Sequence, residues 1–275
     1  MNFFSPYDVT KNYVQTGVAK TRMCLGKLLL LGVLAGLMIA FAGAATNTAA
    51  YCFTNISAVR LICGLLFPFG LGLVIVLGLE LFTGNCLILI SVLDRQASFF
   101  SMLRNWVIAY CGNFLGALLL AAGCAFFGQL NYSGGGLAVF TIKMAAAKCA
   151  LPFGNGLVLG FFCNVLVCVA VLCASSAKDI PGRLMGAYIP VALFVLCGFE
   201  HCVANMYYVP AGLFALQVPE YAALAAQMGV DVSALSWGGF LINNLLPVTL
   251  GNILGGTAVA VAMWAVHLKK GAQSR

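Results

Sequence analysis

His201 is the residue in this chain best suited to moving a proton. It stands in Gly198-Phe199-Glu200-His201-Cys202-Val203-Ala204-Asn205, inside an apolar run long enough to cross a bilayer. An imidazole exchanges protons near neutral pH. Burial favours its neutral form and an approaching anion favours its charged form. A charged ring would attract a weak-acid anion and hand over a proton, and the neutral acid crosses an apolar barrier far more cheaply than the anion. A second segment, Gly78-Leu79-Glu80-Leu81-Phe82-Thr83-Gly84-Asn85, repeats the pattern Gly-x-Glu-x-x-x-x-Asn in another apolar run. Its Thr83 carries a hydroxyl able to donate to a passing anion or to His201, or to cap the half-helix that follows.

Carboxylates and amides are costly at bilayer depth and persist where they line a pathway or hold irregular backbone. Glu80 and Glu200 are expected to shape the two loops by accepting hydrogen bonds from backbone amides freed at the breaks, with direct proton or substrate handling as the alternative. Asn85 and Asn205 are expected to satisfy backbone in the same loops. Lys148 lies in the small, apolar stretch 143–150 and is expected either to attract anions or to reach for headgroups. Phe67, Leu71, Phe82 and Phe194 flank the breaks, where bulky apolar side chains would form constrictions.

The elements that position these groups are membrane spans. Of the 275 residues 63% are hydrophobic and 8% charged, and the mean hydropathy is +1.03. A soluble domain carries about 25% charge. Spans are predicted near 26–48, 58–92 (broken), 99–127, 152–175, 185–215 (broken) and 239–267, with longer connections near 128–150 and 216–238. The first of these, beginning Gly128-Gln129-Leu130-Asn131, reads as irregular, and the second as holding a short interfacial amphipathic helix between Pro219 and Leu235. The first apolar run is too long for a cleaved signal peptide and reads as a retained span.

With both termini cytoplasmic, the inner side collects Lys11, Lys20, Arg22, Lys27, Arg95, Arg104, Lys178, Arg183, Lys269, Lys270 and Arg275, whereas only Arg60, Lys143 and Lys148 fall outside. This bias matches the positive-inside rule and places the protein in a cell (inner) membrane as a multi-pass unit. The net charge of +7 is therefore an orientation signal, with no basic-aromatic stripe for nucleic acid.

A further match supports duplication. Asn105, Gly112, Asn113 and Gly116 are spaced as Asn244, Gly251, Asn252 and Gly255, while the glutamate motifs lie 120 residues apart. An odd number of spans per half makes the halves antiparallel, each with its broken helix facing the other near the midplane. The expected fold is an all-α polytopic protein of six transmembrane helices, an inverted 3+3 repeat with helices 2 and 5 broken. It forms one domain over 1–275: a cytoplasmic segment 1–25, a first repeat 26–127 and a second 152–267.

Other chemistries find little footing. The twelve cysteines show no zinc spacing and only two histidines are present, so they read as small packing residues and no metal is expected. No hydrolase, Walker or dinucleotide motif occurs, so neither enzymatic activity nor a cofactor is expected. The competing class is a neutral-solute channel, but the chain lacks any Asn-Pro-Ala.

The segments Leu81-Phe82-Thr83-Gly84-Asn85 and Gly198 to Met206, with Ala145-Ala146-Ala147-Lys148 and Gly160-Phe161-Phe162-Cys163-Asn164, resemble the formate/nitrite transporter family over essentially the whole chain. The resemblance implies an aquaporin-like protomer assembled as a homopentamer with a pore in each protomer. It implies that His201 faces Thr83, that Phe67, Leu71 and Phe194 form apolar constrictions, that Lys148 is a vestibule lysine and that Asn164 is a pore asparagine. The substrates it implies are small monovalent weak-acid anions, formate first, with nitrite and hydrosulfide as alternatives, moved with protons.

Overall fold

The computed structural model describes residues 3–269, so Lys270 and Arg275 of the charge pattern lie outside the described residues. All regular elements among the described residues are helical. A first helix α1 (Pro6–Thr21) is capped by Ser5, whose hydroxyl accepts from the Asp8 amide. The first span is α2 (Leu25–Ala50), and the second comprises α3 (Ile56–Leu66) and α4 (Pro68–Val76). After a break come α5 (Phe82–Asn85), a 3-10 turn at Cys86–Ile88 and α6 (Leu89–Leu93). The third span is α7 (Phe99–Phe126).

The second half opens with α8 (Tyr132–Cys149) and the fourth span α9 (Phe153–Ser176). The fifth span is broken into α10 (Ile180–Cys197) and α11 (Cys202–Ala215). Helix α12 (Pro219–Gln227) follows, then a sixth span built from a π-helical turn, Gly239–Leu245, and α13 (Leu246–His267). Among the described residues six helices are long and apolar enough to cross a membrane. The outer surface of the bundle is studded with large exposed apolar side chains such as Leu30, Phe41, Leu119 and Ile189, as a lipid-facing surface requires.

The two predicted connections depart from expectation in opposite directions, the first being more regular and the second less. The stretch 128–150 is largely helix α8. Its irregularity is confined to the start, where Ser133, Gly134 and Gly135 have left-handed φ of 52°, 60° and 92°. Glycines obscure the helical pattern of the residues that follow, which bury Leu137, Ile142 and Ala145. The helix predicted up to Leu235 stops at Gln227, just before Gly229 at φ 67°.

Within each half, glycines allow two spans to meet backbone to backbone. Helices α2 and α7 cross where Gly116 packs on the Val33 carbonyl, and α9 and α13 cross where Gly255 packs on the Phe161 carbonyl. A side chain at either glycine would occupy the space of the facing backbone. These two closely packed pairs are the scaffolds from which the broken helices hang.

Candidate functional site

Both breaks are made the same way. Gly78 (φ 63°) and Gly198 (φ 74°) take the left-handed conformation that ends a helix. The amides beyond them return to the last turn: Leu79 to the Val74 carbonyl at 2.9 Å, and Phe199 to the Phe194 carbonyl at 3.0 Å. The chain then runs extended for a few residues before a new helix starts.

An asparagine from a neighbouring span holds each extended segment. Asn113 of α7 accepts from the Phe82 amide at 2.9 Å and donates to the carbonyls of Glu80 (2.9 Å) and Gly32 (2.8 Å). Asn252 of α13 accepts from the Cys202 amide at 2.9 Å and donates to the carbonyls of Glu200 (3.0 Å) and Gly160 (2.7 Å). Freed backbone in an apolar interior needs such partners. The sequence expectation gave this work to the carboxylates. The structure corrects it, because the amides of Phe82 and Cys202 go to asparagines of the span that follows each break.

The carboxylates serve a different network. Glu80 Oε1 accepts from Lys20 Nζ at 2.6 Å, and its Oε2 accepts from Asn85 Nδ2 at 2.8 Å. Asn85 also donates to Asn105 Oδ1 at 2.8 Å, and Asn105 donates to the Lys20 carbonyl at 3.1 Å. The second half repeats this ring of contacts. Lys148 Nζ donates to both oxygens of Glu200 at 2.9 Å, and Asn205 Nδ2 donates to Glu200 at 2.7 Å and to Asn244 Oδ1 at 2.7 Å. Asn244 closes the ring on the Lys148 carbonyl at 3.0 Å. Thus Asn85 and Asn205 bind side chains, not the loop backbone expected of them.

Lys148 is paired rather than free, and only 17% of its side chain is exposed. Lys20, Asn105 and Asn244 were not singled out as site residues. A signal existed: Lys20 precedes Gly32 by the same twelve positions that separate Lys148 from Gly160.

Between the two networks the breaks meet. Thr83 Oγ1 lies 2.9 Å from His201 Nε2. His201 is also the N-cap of α11, its Nδ1 accepting from the Ala204 amide at 3.1 Å. A ring nitrogen that accepts carries no hydrogen, so the hydrogen sits on Nε2 and is donated to the threonine. The Thr83 hydroxyl hydrogen then remains for another acceptor. Thr83 caps nothing, since Leu81 stands at the N-cap of α5 without a side-chain bond.

Aromatic rings close one side of this pair. Phe194 stacks on His201 with centroids 6.0 Å apart, and Phe67 meets Phe194 edge-on at 5.9 Å. Phe67, Leu71 and Phe194 are each 3% exposed. Phe82 is not in this group, because its ring packs on Trp106 (6.2 Å) and Tyr110 (4.9 Å) of α7. Asn164 stands behind Thr83, donating to its carbonyl at 3.2 Å and to the Asn252 carbonyl at 2.6 Å.

Helix α5 is too short to satisfy its own carbonyls. Asn164 takes that of Thr83, Tyr13 of α1 takes that of Gly84 at 3.2 Å, and Trp106 takes that of Asn85 at 2.9 Å. Of the twelve cysteines six are buried and no disulfide forms; Cys168 adds a contact to the Thr83 carbonyl at 3.6 Å. No group of residues able to hold a metal ion occurs among the described residues.

Residues 7–266 match the family described as Formate/nitrite transporter. The chain belongs to the formate/nitrite transporter family. It is similar to a probable formate transporter of Methanothermobacter thermautotrophicus, at 35% identity over 98% of this chain and 99% of that one. The formate channel FocA of Escherichia coli K12 is 30% identical over 96% of this chain and 95% of that one. A solved pentameric formate channel with formate bound superposes with a TM-score of 0.77 at 33% identity, covering 88% of this chain and 96% of that one. A second, an FNT family ion channel, gives 0.78 at 25% identity, covering 94% and 98%. Membership in this family of channels and transporters accounts for the inverted repeat, the aquaporin-like protomer and the multi-pass membrane fold.

Proposed function

We propose that the protein is a channel for small monovalent weak-acid anions, that formate is its substrate, and that His201 passes protons to the anion. The observation that carries this reading is the His201–Thr83 pair. Two buried hydroxyl and imidazole donors face each other at the junction of two helix breaks, beside an apolar ring. Two donors suit an acceptor-only anion, which an apolar passage otherwise repels. The formate channels among its relatives support formate within that class.

In this reading Phe67, Leu71 and Phe194 are the constriction, and His201 Nε2 and Thr83 Oγ1 make the contact with substrate. Asn164 positions Thr83, and Phe82 anchors α5 against α7. The proton relay runs through Nε2, since Nδ1 is committed to the Ala204 amide. The protein assembles as a homopentamer in the cell's inner membrane, as the pentameric relative supports, with both termini and α1 on the cytoplasmic side, as the charge bias supports.

Purified protein in liposomes tests this by stopped-flow uptake of formate, nitrite and hydrosulfide over a pH series. Formate uptake that rises as pH falls is expected. Faster nitrite or hydrosulfide flux would reassign the substrate, and water flux without any anion flux would overturn the channel reading.

A further inference from the structure

One face of the second span carries Arg60, Gly64, Phe67 and Leu71 at helical spacing, and Ile56–Val76 forms one continuous apolar helix. This span runs antiparallel to α10. Gly64 abuts the Ala192 carbonyl, Phe67 meets Phe194, and Arg60 comes level with Gly198. A methyl group on Gly198 would lie 2.6 Å from Arg60 Nη1 and 2.9 Å from its Cζ and Nη2. The guanidinium therefore lies over the glycine that ends α10, two residues from Glu200. At 1.5 Å per residue the Arg60 backbone lies about 10 Å along the helix axis from that of Phe67, towards the face that carries α8.

The charges there do not cancel. Lys148 is matched by Glu200, and Lys20 by Glu80. These are the two ion pairs among the described residues, and neither includes Arg60, which is exposed and makes no hydrogen bond. The halves also differ here: the position 120 residues on, which Arg60 would occupy under the repeat, is Ile180. An unmatched guanidinium within a span belongs beside water and beside a negatively charged partner.

We propose that Arg60 is the anion-recruiting site of the α8-side vestibule, taking a small monoanion with two adjacent oxygens, such as a carboxylate or nitrite, on its forked donors. It gathers the charged form outside the Phe67–Phe194 ring, where Lys148 is already spent on Glu200. This inference rests on the anion-channel reading.

The test is formate uptake against concentration by liposomes in which the α8 side faces outward, for wild type, Arg60→Gln, Arg60→Met and Arg60→Lys, at low and high salt. Each variant is first checked for wild-type elution in detergent, and Arg60→Met preserves the aliphatic stem should the glutamine variant pack poorly. Loss of the charge should raise the half-saturating formate concentration about fivefold at low salt, leave the maximal rate within about twofold, and remove most of its salt dependence. Lysine should restore the salt dependence and part of the affinity. An unchanged half-saturation, or a fall in maximal rate alone, would overturn the proposal and leave Arg60 as a brace for the end of α10. A wild type that moves no anion would instead bring down the channel reading itself.

Discussion

At the scale of single residues, the informative difference lies between copies of one motif. Gly, Glu and Asn recur in both breaks and do the same structural work twice, whereas Thr83 and His201 occupy dissimilar positions and meet each other. Replacing His201 by Phe should abolish proton-linked formate uptake while the protein still elutes as an intact oligomer; undiminished flux of all three anions would remove His201 from the mechanism. Thr83→Val keeps the shape and removes the hydroxyl, so it should cut the maximal rate by about tenfold or more, on the scale of one lost hydrogen bond to a charged group. Transport by that variant at the wild-type rate would show that the imidazole works alone. The identities of both residues were legible in the sequence, because polar groups stand out in apolar runs. Their pairing was legible only through the repeat and the family resemblance, since 118 positions separate them.

At the scale of elements, hydropathy located all six spans and both breaks to within a few residues, because a bilayer demands long apolar helices. Helix α8 escaped notice because its opening glycines interrupt the periodic pattern on which such a reading depends. What holds the breaks was also hidden. Asn113 and Asn252 were visible as a repeated spacing, yet spacing does not show that each one clasps a loop between two spans. Asn113→Ala or Asn252→Ala should leave buried backbone groups unpaired and cost about 2–3 kcal/mol or more, read as a lower thermal midpoint in detergent. No shift in either variant would mean the loops are held elsewhere. The ion pairs obey the same logic. Lys20→Met or Glu80→Gln alone should destabilise by about 3–5 kcal/mol, whereas the double substitution should cost distinctly less than the two together. The Lys148–Glu200 pair should behave alike, and strict additivity in either cycle would argue against an energetic pair.

At the scale of the whole molecule, duplication reaches beyond the three spans of each half. Lysines on α1 and α8 occupy equivalent places, so each half begins with a helix that lies at one face of the bundle and supplies the cation for its own break. The sequence reading drew its repeats at 26–127 and 152–267, inside these helices, because neither is a membrane span. The crossing of the membrane by α2 has a direct consequence. Cys24 and Cys52 are exposed at the two ends of α2, so single-cysteine variants should react with a membrane-impermeant maleimide from opposite sides of a cell membrane. Labelling of both from the same side would contradict the topology.

The bond from the Ala204 amide to His201 Nδ1 reaches further than its length suggests. The ring that touches the pathway is also the fastener on the first turn of the half-helix behind it. Turning the ring over, or replacing it with a side chain that cannot accept, undoes that turn. Chemistry and mechanical integrity at the midpoint therefore share one side chain. An asparagine at 201, itself a strong cap, should keep the fastening and lose the reach, giving a sturdy but idle pore. A phenylalanine should lose both, fraying that one turn within an oligomer that still assembles, so the asparagine variant is the one that isolates the chemistry.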